Sequence, residues 1–339
     1  MSGFETVNRR TFLALPTVAV ALPAAASSLA QAANRRTVDF KSNLPARGSF
    51  PDKWICGFPS AMDDPDPPVQ VHWYNEHTAI LRQNKSYSYE APFAPLYFGN
   101  DRVLLLDGGF VTWRNDWDLR GVVDRCIAEW AARNGRRPEE LELLVAFSHL
   151  HADHYAAVNQ FADRPSTRFM GQSHEEMIGF WGMTNFPEEV VTVDLGGRHI
   201  LVWGSPGHVV SEFAYYDSYT QILYTGDMFY AGRCYISFWD IWFASMQRLI
   251  DFCDRNPVTH VMGCHVEIST KREDYPYGMT WQPDEAPVQM TVADLRYAFE
   301  VAKTIAEPGI YFTGKVFLCN QTRGTTTIDK NPYRYALPG

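Results

Sequence analysis

The chain reads Ser148-His149-Leu150-His151-Ala152-Asp153-His154 directly after a buried strand predicted over residues 143–147. In an extended loop, residues two apart project to the same side, so His149 and His151 can bind one metal ion. Asp153 and His154 lie where the chain turns into the next predicted helix, and they can bind a second ion. Imidazole suits zinc, and a carboxylate completes a site that leaves one position for water. The stretch therefore predicts a two-metal site at the end of a strand.

Three further candidate ligands, His208, Asp227 and His265, each come directly after a later predicted strand. Four ligands from one loop cannot close two metal sites, so additional donors are required. A single histidine at a strand end is usually an ordinary polar residue, but seven donors in this order are not expected by chance. The sequence therefore predicts a metal centre at one edge of a sheet sandwich.

The composition is that of a globular protein with a sizeable core. The 339 residues are 46% hydrophobic and 20% charged, and 30 Lys and Arg stand against 39 Asp and Glu, a net charge of −9. A nucleic-acid-binding protein needs a basic face, so the acidic balance argues against nucleic-acid partners. The chain has neither G-x-x-x-x-G-K-S/T nor G-x-G-x-x-G after a strand, so nucleotide cofactors are not indicated.

Residues 1–32 have the features of an export signal. Arg9-Arg10 precede a short apolar run, and small residues ending in Ala30-Gln31-Ala32 offer a cleavage site. The surrounding residues resemble the twin-arginine motif. The apolar run is too short to span a bilayer, so we expect no stable membrane insertion. We therefore expect the twin-arginine export machinery as a partner and a periplasmic or secreted bacterial location.

The rest of the chain is predicted as an extended N-terminal arm, residues 33–78, and one domain with a C-terminal extension, residues 79–339. The arm is rich in Pro, Asp and aromatic residues without clear periodicity. The domain mixes hairpins with strand–helix alternation, which predicts an α/β fold of two sheets covered by helices. Its main predicted elements are a hairpin of residues 95–98 and 102–106, a helix from Leu119 that Gly135 ends, helices over 155–161, 246–255 and 294–306, and strands over 190–194, 199–203, 213–217, 222–225 and 260–263.

The six cysteines are widely spaced, without a disulfide framework or a C-x-x-C metal pair, although an exported protein could form disulfides. Cys126 and Cys253 lie on apolar helix faces, where buried free thiols are expected. Cys264 is either a redox-sensitive neighbour of the metal site or a small buried strand residue. We expect the second, with its side chain pointing away from the metal, because adjacent strand residues face opposite sides.

The order H-x-H-x-D-H, then His, Asp and His, resembles the metallo-β-lactamase-fold superfamily over roughly residues 79–270. The resemblance implies a four-layer αββα sandwich with the metals at one edge. It implies two zinc ions as cofactors, with iron or manganese as alternatives. By this resemblance the first metal is bound by His149, His151 and His208, the second by Asp153, His154 and His265, and Asp227 bridges both.

The resemblance also implies a reaction. Two such ions share a water, lower its pKa and polarise a carbonyl group, and Asp153 orients the water. The aspartate bridge is similar to lactonase-like and glyoxalase-II-like branches. Tyr230 follows Asp227 by three residues, as in N-acyl homoserine lactonases, where a tyrosine at that offset assists the substrate carbonyl. We therefore expect an exported dinuclear zinc hydrolase that uses a metal-bridging hydroxide to cleave a lactone, ester or related acyl bond.

Other functions stay open. A β-lactamase or thioesterase would use the same site, and an iron-dependent redox enzyme would use the same fold. Residues 207–212, Gly-His-Val-Val-Ser-Glu, depart from the usual G-H-T-x-G. The lack of a flavin-domain segment argues against flavodiiron proteins, and the complete second ligand set argues against single-iron dioxygenases. A metal-binding protein without turnover is a third alternative.

Several residues around the predicted site have supporting roles. We expect Asp107 to be a buried residue that fixes a loop beneath the site, and Glu267 either to bond a ligating histidine or to be solvated. The substrate is expected to be a small molecule with an apolar part, and the sequence does not indicate an oligomeric state. Aromatic residues near predicted strand ends could line an apolar pocket: Phe110, Trp113, Trp117, Phe180, Trp181, Phe186, Phe238, Trp239 and Trp242.

Overall fold

The computed structural model describes residues 36–40, 46–109 and 117–320. The predicted export signal, Phe110 and Trp113 lie outside the described residues, as do parts of the predicted arm and the last residues of the C-terminal extension. None of the described helices is long and apolar enough to cross a membrane.

Fifteen strands are found in the described part of the chain. They are β1 (Val69–Asn75), β2 (Thr78–Gln83), β3 (Phe93–Phe98), β4 (Arg102–Leu106), β5 (Glu142–Ala146), β6 (Thr167–Phe169), β7 (Val191–Asp194), β8 (His199–Gly204), β9 (Phe213–Asp217), β10 (Ile222–Tyr224), β11 (Arg233–Ile236), β12 (His260–Met262), β13 (Gln289–Met290), β14 (Gly309–Phe312) and β15 (Phe317–Asn320).

The strands form two six-stranded sheets and one small sheet. The first sheet has the order β1-β2-β3-β4-β5-β6, the second β13-β12-β10-β9-β8-β7, and the third β11-β15-β14. Strands β2, β3, β9 and β10 are buried along their whole length, as expected of strands covered on both faces. The predicted hairpin is confirmed, because β3 and β4 pair antiparallel.

Within the described residues, five α-helices accompany these sheets: α1 (Leu119–Arg133), α2 (Ala152–Tyr155), α3 (His174–Trp181), α4 (Trp239–Arg255) and α5 (Val292–Ala302). Asp118 caps α1 by accepting the Gly121 N–H, and Thr291 caps α5 in a capping box with Asp294. Helix α4 begins seven residues before the prediction, because Trp242 extends the apolar face that Met246 and Leu249 continue. The predicted helix over 155–161 is instead the single turn α2 followed by a 3₁₀ helix, Ala156–Phe161.

The boundary predicted between arm and domain is wrong. β1 pairs antiparallel with β2, so a division after residue 78 separates two strands of one hairpin. β1 lies at the edge of its sheet and is only partly buried, and the pattern Val-Gln-Val-His-Trp-Tyr-Asn lacks the continuous apolar run that marks the inner strands. An edge strand is partly exposed to solvent, so it carries polar residues between its apolar ones.

A buried ion pair joins the two large sheets. The Arg198 guanidinium donates to both carboxylate oxygens of Asp217, at 2.9 and 2.6 Å, within the second sheet. It also donates to the Phe98 carbonyl at 3.1 Å and the Thr78 hydroxyl at 2.8 Å, both in the first sheet. The two large sheets and the helices contribute to one hydrophobic core. This arrangement confirms the predicted α/β fold.

Candidate metal centre

The seven predicted ligands lie together where strands β5, β8, β10 and β12 end. β10 and β12 run parallel, and just beyond the ends of both strands Cys264 N donates to Gly226 O at 3.0 Å. This contact places His265 beside Asp227. Gly226 has a φ of +53°, and a Cβ there would lie 2.7 Å from the Cβ of Ser148. Glycine is therefore required for Asp227 to approach the histidine-rich segment.

Three histidines form the first cluster. His151 Nδ1 lies 2.9 Å from Nε2 of His149 and 2.9 Å from Nε2 of His208. The Tyr235 carbonyl oxygen lies 2.6 Å from Nδ1 of His208, so this nitrogen carries the proton and Nε2 keeps its lone pair. Three converging imidazole nitrogens are a donor set typical of zinc.

Two histidines and two aspartates form the second cluster. His265 Nε2 lies 3.1 Å from Asp153 Oδ2, 3.3 Å from Asp227 Oδ1 and 3.4 Å from His154 Nε2. His154 Nε2 lies 3.2 Å from Asp153 Oδ2 and 3.6 Å from Asp227 Oδ1. Donors around a tetrahedral ion with zinc–ligand distances of about 2.0–2.1 Å are about 3.3 Å apart. These five donor pairs, at 3.1–3.6 Å, are therefore close to the spacing that one divalent ion requires.

Asp227 connects the two clusters. Its Oδ1 belongs to the second cluster, and its Oδ2 lies 3.8 Å from Nε2 of His208 in the first. Asp227 is 7% exposed, and its Oδ1 has no hydrogen-bond partner within the described part of the chain. A buried carboxylate oxygen without a donor is unfavourable, and a bound cation would satisfy it. The residues present thus fit a pair of divalent ions, in the two groups that the sequence predicts.

Groups behind the ligands fix the orientation of the histidine rings. Asp107 Oδ1 lies 3.2 Å from Nδ1 of His154 and accepts the Ser148 N–H at 2.7 Å. Its Oδ2 accepts the Tyr224 hydroxyl at 2.5 Å. Asp107 is fully buried, which confirms the predicted role beneath the site. On the other side, the Glu90 carbonyl oxygen lies 2.8 Å from Nδ1 of His265 and leaves Nε2 of that ring for a metal.

The two clusters differ in protonation. Burial lowers the pKa of His149, His151 and His208, so the first cluster is neutral and ready to bind a metal. Burial also lowers the pKa of His154 and His265, but their carboxylate and thiol neighbours outweigh it and the pKa of both rings is raised. A metal that enters the second cluster must displace these protons, so its affinity rises with pH.

The Tyr230 hydroxyl does not lie where it is expected, beside the metals and the substrate carbonyl. The hydroxyl contacts the Arg233 carbonyl and lies 3.0 Å from Glu267 Oε2, and the side chain is 2% exposed. A phenol has one proton, and here it is donated within the protein. The ring packs edge-on against His265, with centroids 5.5 Å apart. Tyr230 therefore supports a ligand from behind in this structure.

The expected orientation of Cys264 is wrong. Its Sγ lies within 4.8 Å of donor atoms of His154, Asp227 and His265. Strand alternation does not apply because β12 ends at Met262, two residues earlier. All six cysteines lie in the described residues and are free thiols; Cys126 is buried and Cys253 half-buried.

Glu267 is neither solvated nor bonded to a histidine. Its Oε2 accepts the Arg233 N–H at 2.9 Å, and its Oε1 accepts the Arg233 guanidinium at 2.8 Å. This carboxylate therefore fixes the segment that contains Tyr230 and Arg233.

Two carboxylates at the site are missing from the sequence prediction. Glu90 places a donor atom within 4.8 Å of donors of Asp153 and His265. Glu212 is fully buried and accepts the Asp227 N–H at 3.1 Å, and burial raises its pKa well above the usual range. Glu90 lies in a loop without any motif. Glu212 lies four residues after His208. The departure of residues 207–212 from G-H-T-x-G is the only sequence feature that could have drawn attention to it.

Several solved structures of metallo-beta-lactamases are similar to this chain. DIM-1 metallo-beta-lactamase exposed to ceftazidime is 16% identical, with a TM-score of 0.46 over 70% of this chain and 98% of that one. The enzyme from Pontibacter korlensis is 12% identical, with a TM-score of 0.47 over 70% and 100%. FIM-1 from Pseudomonas aeruginosa, in its mono-zinc form, is 13% identical, with a TM-score of 0.46 over 70% and 96%. The comparison with curated proteins finds no match.

A family match covers the candidate metal centre. Residues 96–301 match the family described as the metallo-beta-lactamase superfamily, and this range contains all seven predicted ligands. The matched residues make up more than half of the chain. The protein therefore belongs to the metallo-beta-lactamase superfamily and has the fold of its metal-dependent hydrolases.

Proposed function

We propose that this protein is an exported dinuclear zinc hydrolase that cleaves a lactone, ester or related acyl bond of a small molecule. The observation that carries the proposal is Asp227, whose two oxygens approach different clusters while Oδ1 is buried without a hydrogen-bond donor. Three imidazoles in the first cluster favour zinc over harder ions. Iron and manganese are the alternatives for the second, carboxylate-containing cluster.

The chain's own residues supply orientation and proton transfer. Bound divalent ions would provide Lewis-acid polarisation of an acyl carbonyl and a lowered pKa for water. Asp153 uses Oδ2 toward His154 and His265, so Oδ1 can accept a hydrogen bond from the attacking water. The rings of three candidate ligands are held from behind: His154 by Asp107, His208 by the Tyr235 carbonyl and His265 by the Glu90 carbonyl. The ring orientations are therefore fixed before substrate arrives.

The surface beside His208 supports a substrate with an apolar part. Phe238 N donates to Gly207 O at 2.9 Å, which brings the start of α4 to the loop of His208. Val210, Phe238 and Ile241 are 56%, 39% and 42% exposed. Among the predicted pocket aromatics that the structure describes, Phe238 is exposed, Phe180, Phe186 and Trp239 are half-buried, and Trp117, Trp181 and Trp242 belong to the core. We propose that the exposed apolar side chains bind an acyl chain or ring.

The internal hydrogen bonds of Tyr230 remove the main reason for preferring lactones to other acyl substrates. A β-lactamase or thioesterase activity would use the same residues and is the second candidate. The test is a hydrolysis screen of the zinc-loaded protein on lactones, aryl esters, thioesters and β-lactams. We expect turnover of at least one class, lost on chelation and restored by zinc.

Two controls make this screen decisive. His208→Ala should lose turnover, whereas His199→Ala, a substitution outside the centre, should retain it. Metal analysis of the purified protein separates zinc from iron. A fully zinc-loaded protein that hydrolyses none of the four classes would contradict the proposal.

A further inference from the structure

A buried cation lies outside the ligand set. Lys85 follows β2 in the chain, and its side chain is fully buried. Its Nζ lies 3.1 Å from Glu285 Oε1, and the same oxygen accepts Arg82 Nη2 at 2.9 Å. Two fully buried cations thus share one carboxylate. Arg82 alone would neutralise Glu285, so charge compensation does not explain why Lys85 is buried here.

The other contacts of Lys85 lead to the metal centre. Its ammonium donates to the Tyr89 carbonyl at 3.2 Å and to the Val266 carbonyl at 3.4 Å. Val266 directly follows His265 in the chain. Tyr89 directly precedes Glu90, whose carbonyl accepts the Nδ1 proton of His265 at 2.8 Å. One ammonium therefore holds both the backbone that carries His265 and the backbone that orients its ring.

We propose that Lys85 is a positioning residue for the second metal, because it fixes the two backbone segments that set the place and rotation of His265. The inference rests on the proposed dinuclear centre. An ammonium has three donors, and Glu285, Tyr89 and Val266 provide three acceptors, so the group is satisfied only in this arrangement. Without Lys85 the buried Val266 carbonyl and the half-buried Tyr89 carbonyl each lose a charged donor, and both segments next to His265 are free to shift.

Arg82 offers a matched control for the test. Lys85→Met and Arg82→Met each remove one fully buried cation and leave one cation for Glu285, so their effects on charge balance are the same. Only Lys85 contacts the carbonyls beside His265. We expect both variants to fold and to bind the first zinc as the wild type does. The affinity for the second zinc should fall by about 10- to 100-fold in Lys85→Met and change little in Arg82→Met.

The readout is zinc binding itself, measured by titration of the metal-free protein against a competing chelator, with the cobalt-substituted absorption spectrum as a second measure. Equal second-site affinity in Lys85→Met and wild type overturns the inference, as does an equal loss in both variants. A wild-type protein that binds one zinc contradicts the proposed dinuclear function instead. If Lys85→Met does not fold, the same titration is made with Lys85→Gln, whose shorter side chain keeps N–H donors. Wild-type affinity for the second zinc, or a loss equal to that of Arg82→Met, then overturns the inference.

Discussion

Asp107 lies directly behind His154, with its Oδ1 3.2 Å from Nδ1 of the ring, and neither side chain reaches solvent. The carboxylate accepts the ring proton and leaves Nε2 facing Asp153 and Asp227. A carboxylate behind a ligating histidine fixes the tautomer and increases the basicity of the ring. The centre therefore consists of the candidate ligands and of a second set of residues that orient them. Substitutions in the second set test its role without removing a ligand.

Replacing Asp107 with asparagine should weaken the second metal site. The amide oxygen can take the place of only one carboxylate oxygen, so the NH₂ group faces either the Tyr224 hydroxyl or the Ser148 N–H and His154 Nδ1, and it can accept from neither side. We expect the affinity for the second zinc to fall by about 10- to 100-fold and the first site to be unchanged, as measured by zinc titration. Asp101→Asn, in an exposed turn, is the control. Unchanged second-site affinity in Asp107→Asn would contradict the role assigned to this carboxylate.

Removing the Tyr230 hydroxyl should affect stability more than catalysis. The hydroxyl is bonded inside the protein, so Tyr230→Phe removes the donor that contacts the buried Arg233 carbonyl, while Glu267 Oε2 keeps the Arg233 N–H. We expect a loss of about 1–3 kcal/mol in the free energy of unfolding. We expect both metals to be retained and kcat to change by less than about threefold, because no oxyanion donor is lost. Tyr216→Phe, which loses a hydroxyl bond to the Pro257 carbonyl instead, is the control. A tenfold lower kcat in a stable, metal-replete Tyr230→Phe enzyme would restore the catalytic role.

Spacing along the sequence accounts for the seven candidate ligands, whereas packing determines which groups lie around them. Each candidate ligand follows a strand end, and the direction of the strands brings such positions together. Glu90 and Lys85 reach the centre through a loop whose path depends on contacts with residues about 180 positions later, which no local pattern records. The error at Cys264 has the same origin, since strand alternation stops where the ladder stops.

Stability should decrease on mild acidification, in part because of His77. Burial and the nearby Arg198 lower the pKa of His77 to about 4, from a usual value near 6.5. Its Nδ1 accepts the Trp130 indole N–H at 3.0 Å, so the folded state holds the neutral ring. Between pH 6.5 and 4 the unfolded chain binds the extra proton, and the free energy of unfolding falls as pH falls.

This contribution is measured by urea unfolding of the chelator-treated protein at several pH values in that window. In His77→Gln the free energy of unfolding should depend less steeply on pH than in the wild type, and the difference in slope should correspond to at most one bound proton. His199→Gln, whose parent side chain is 43% exposed, should keep the wild-type slope. Identical slopes for His77→Gln and wild type would show that another group is responsible.

We propose that the protein is exported by the twin-arginine route through Arg9 and Arg10 and crosses the membrane already folded. A double Arg→Lys substitution keeps the charge of the segment and removes the feature that this machinery reads. We expect unprocessed precursor to accumulate in the cytoplasm, measured by cell fractionation. Normal processing of the double variant would indicate a general secretory signal.

We propose that Asp227 joins two metal sites of different composition. The most direct measurement is the number of zinc equivalents that the metal-free protein binds tightly, compared between wild type and His265→Ala. We predict two equivalents per chain for the wild type and one for His265→Ala, because the substitution removes a donor of the second cluster and leaves His149, His151 and His208 intact. One equivalent in the wild type, or two in His265→Ala, would contradict the account.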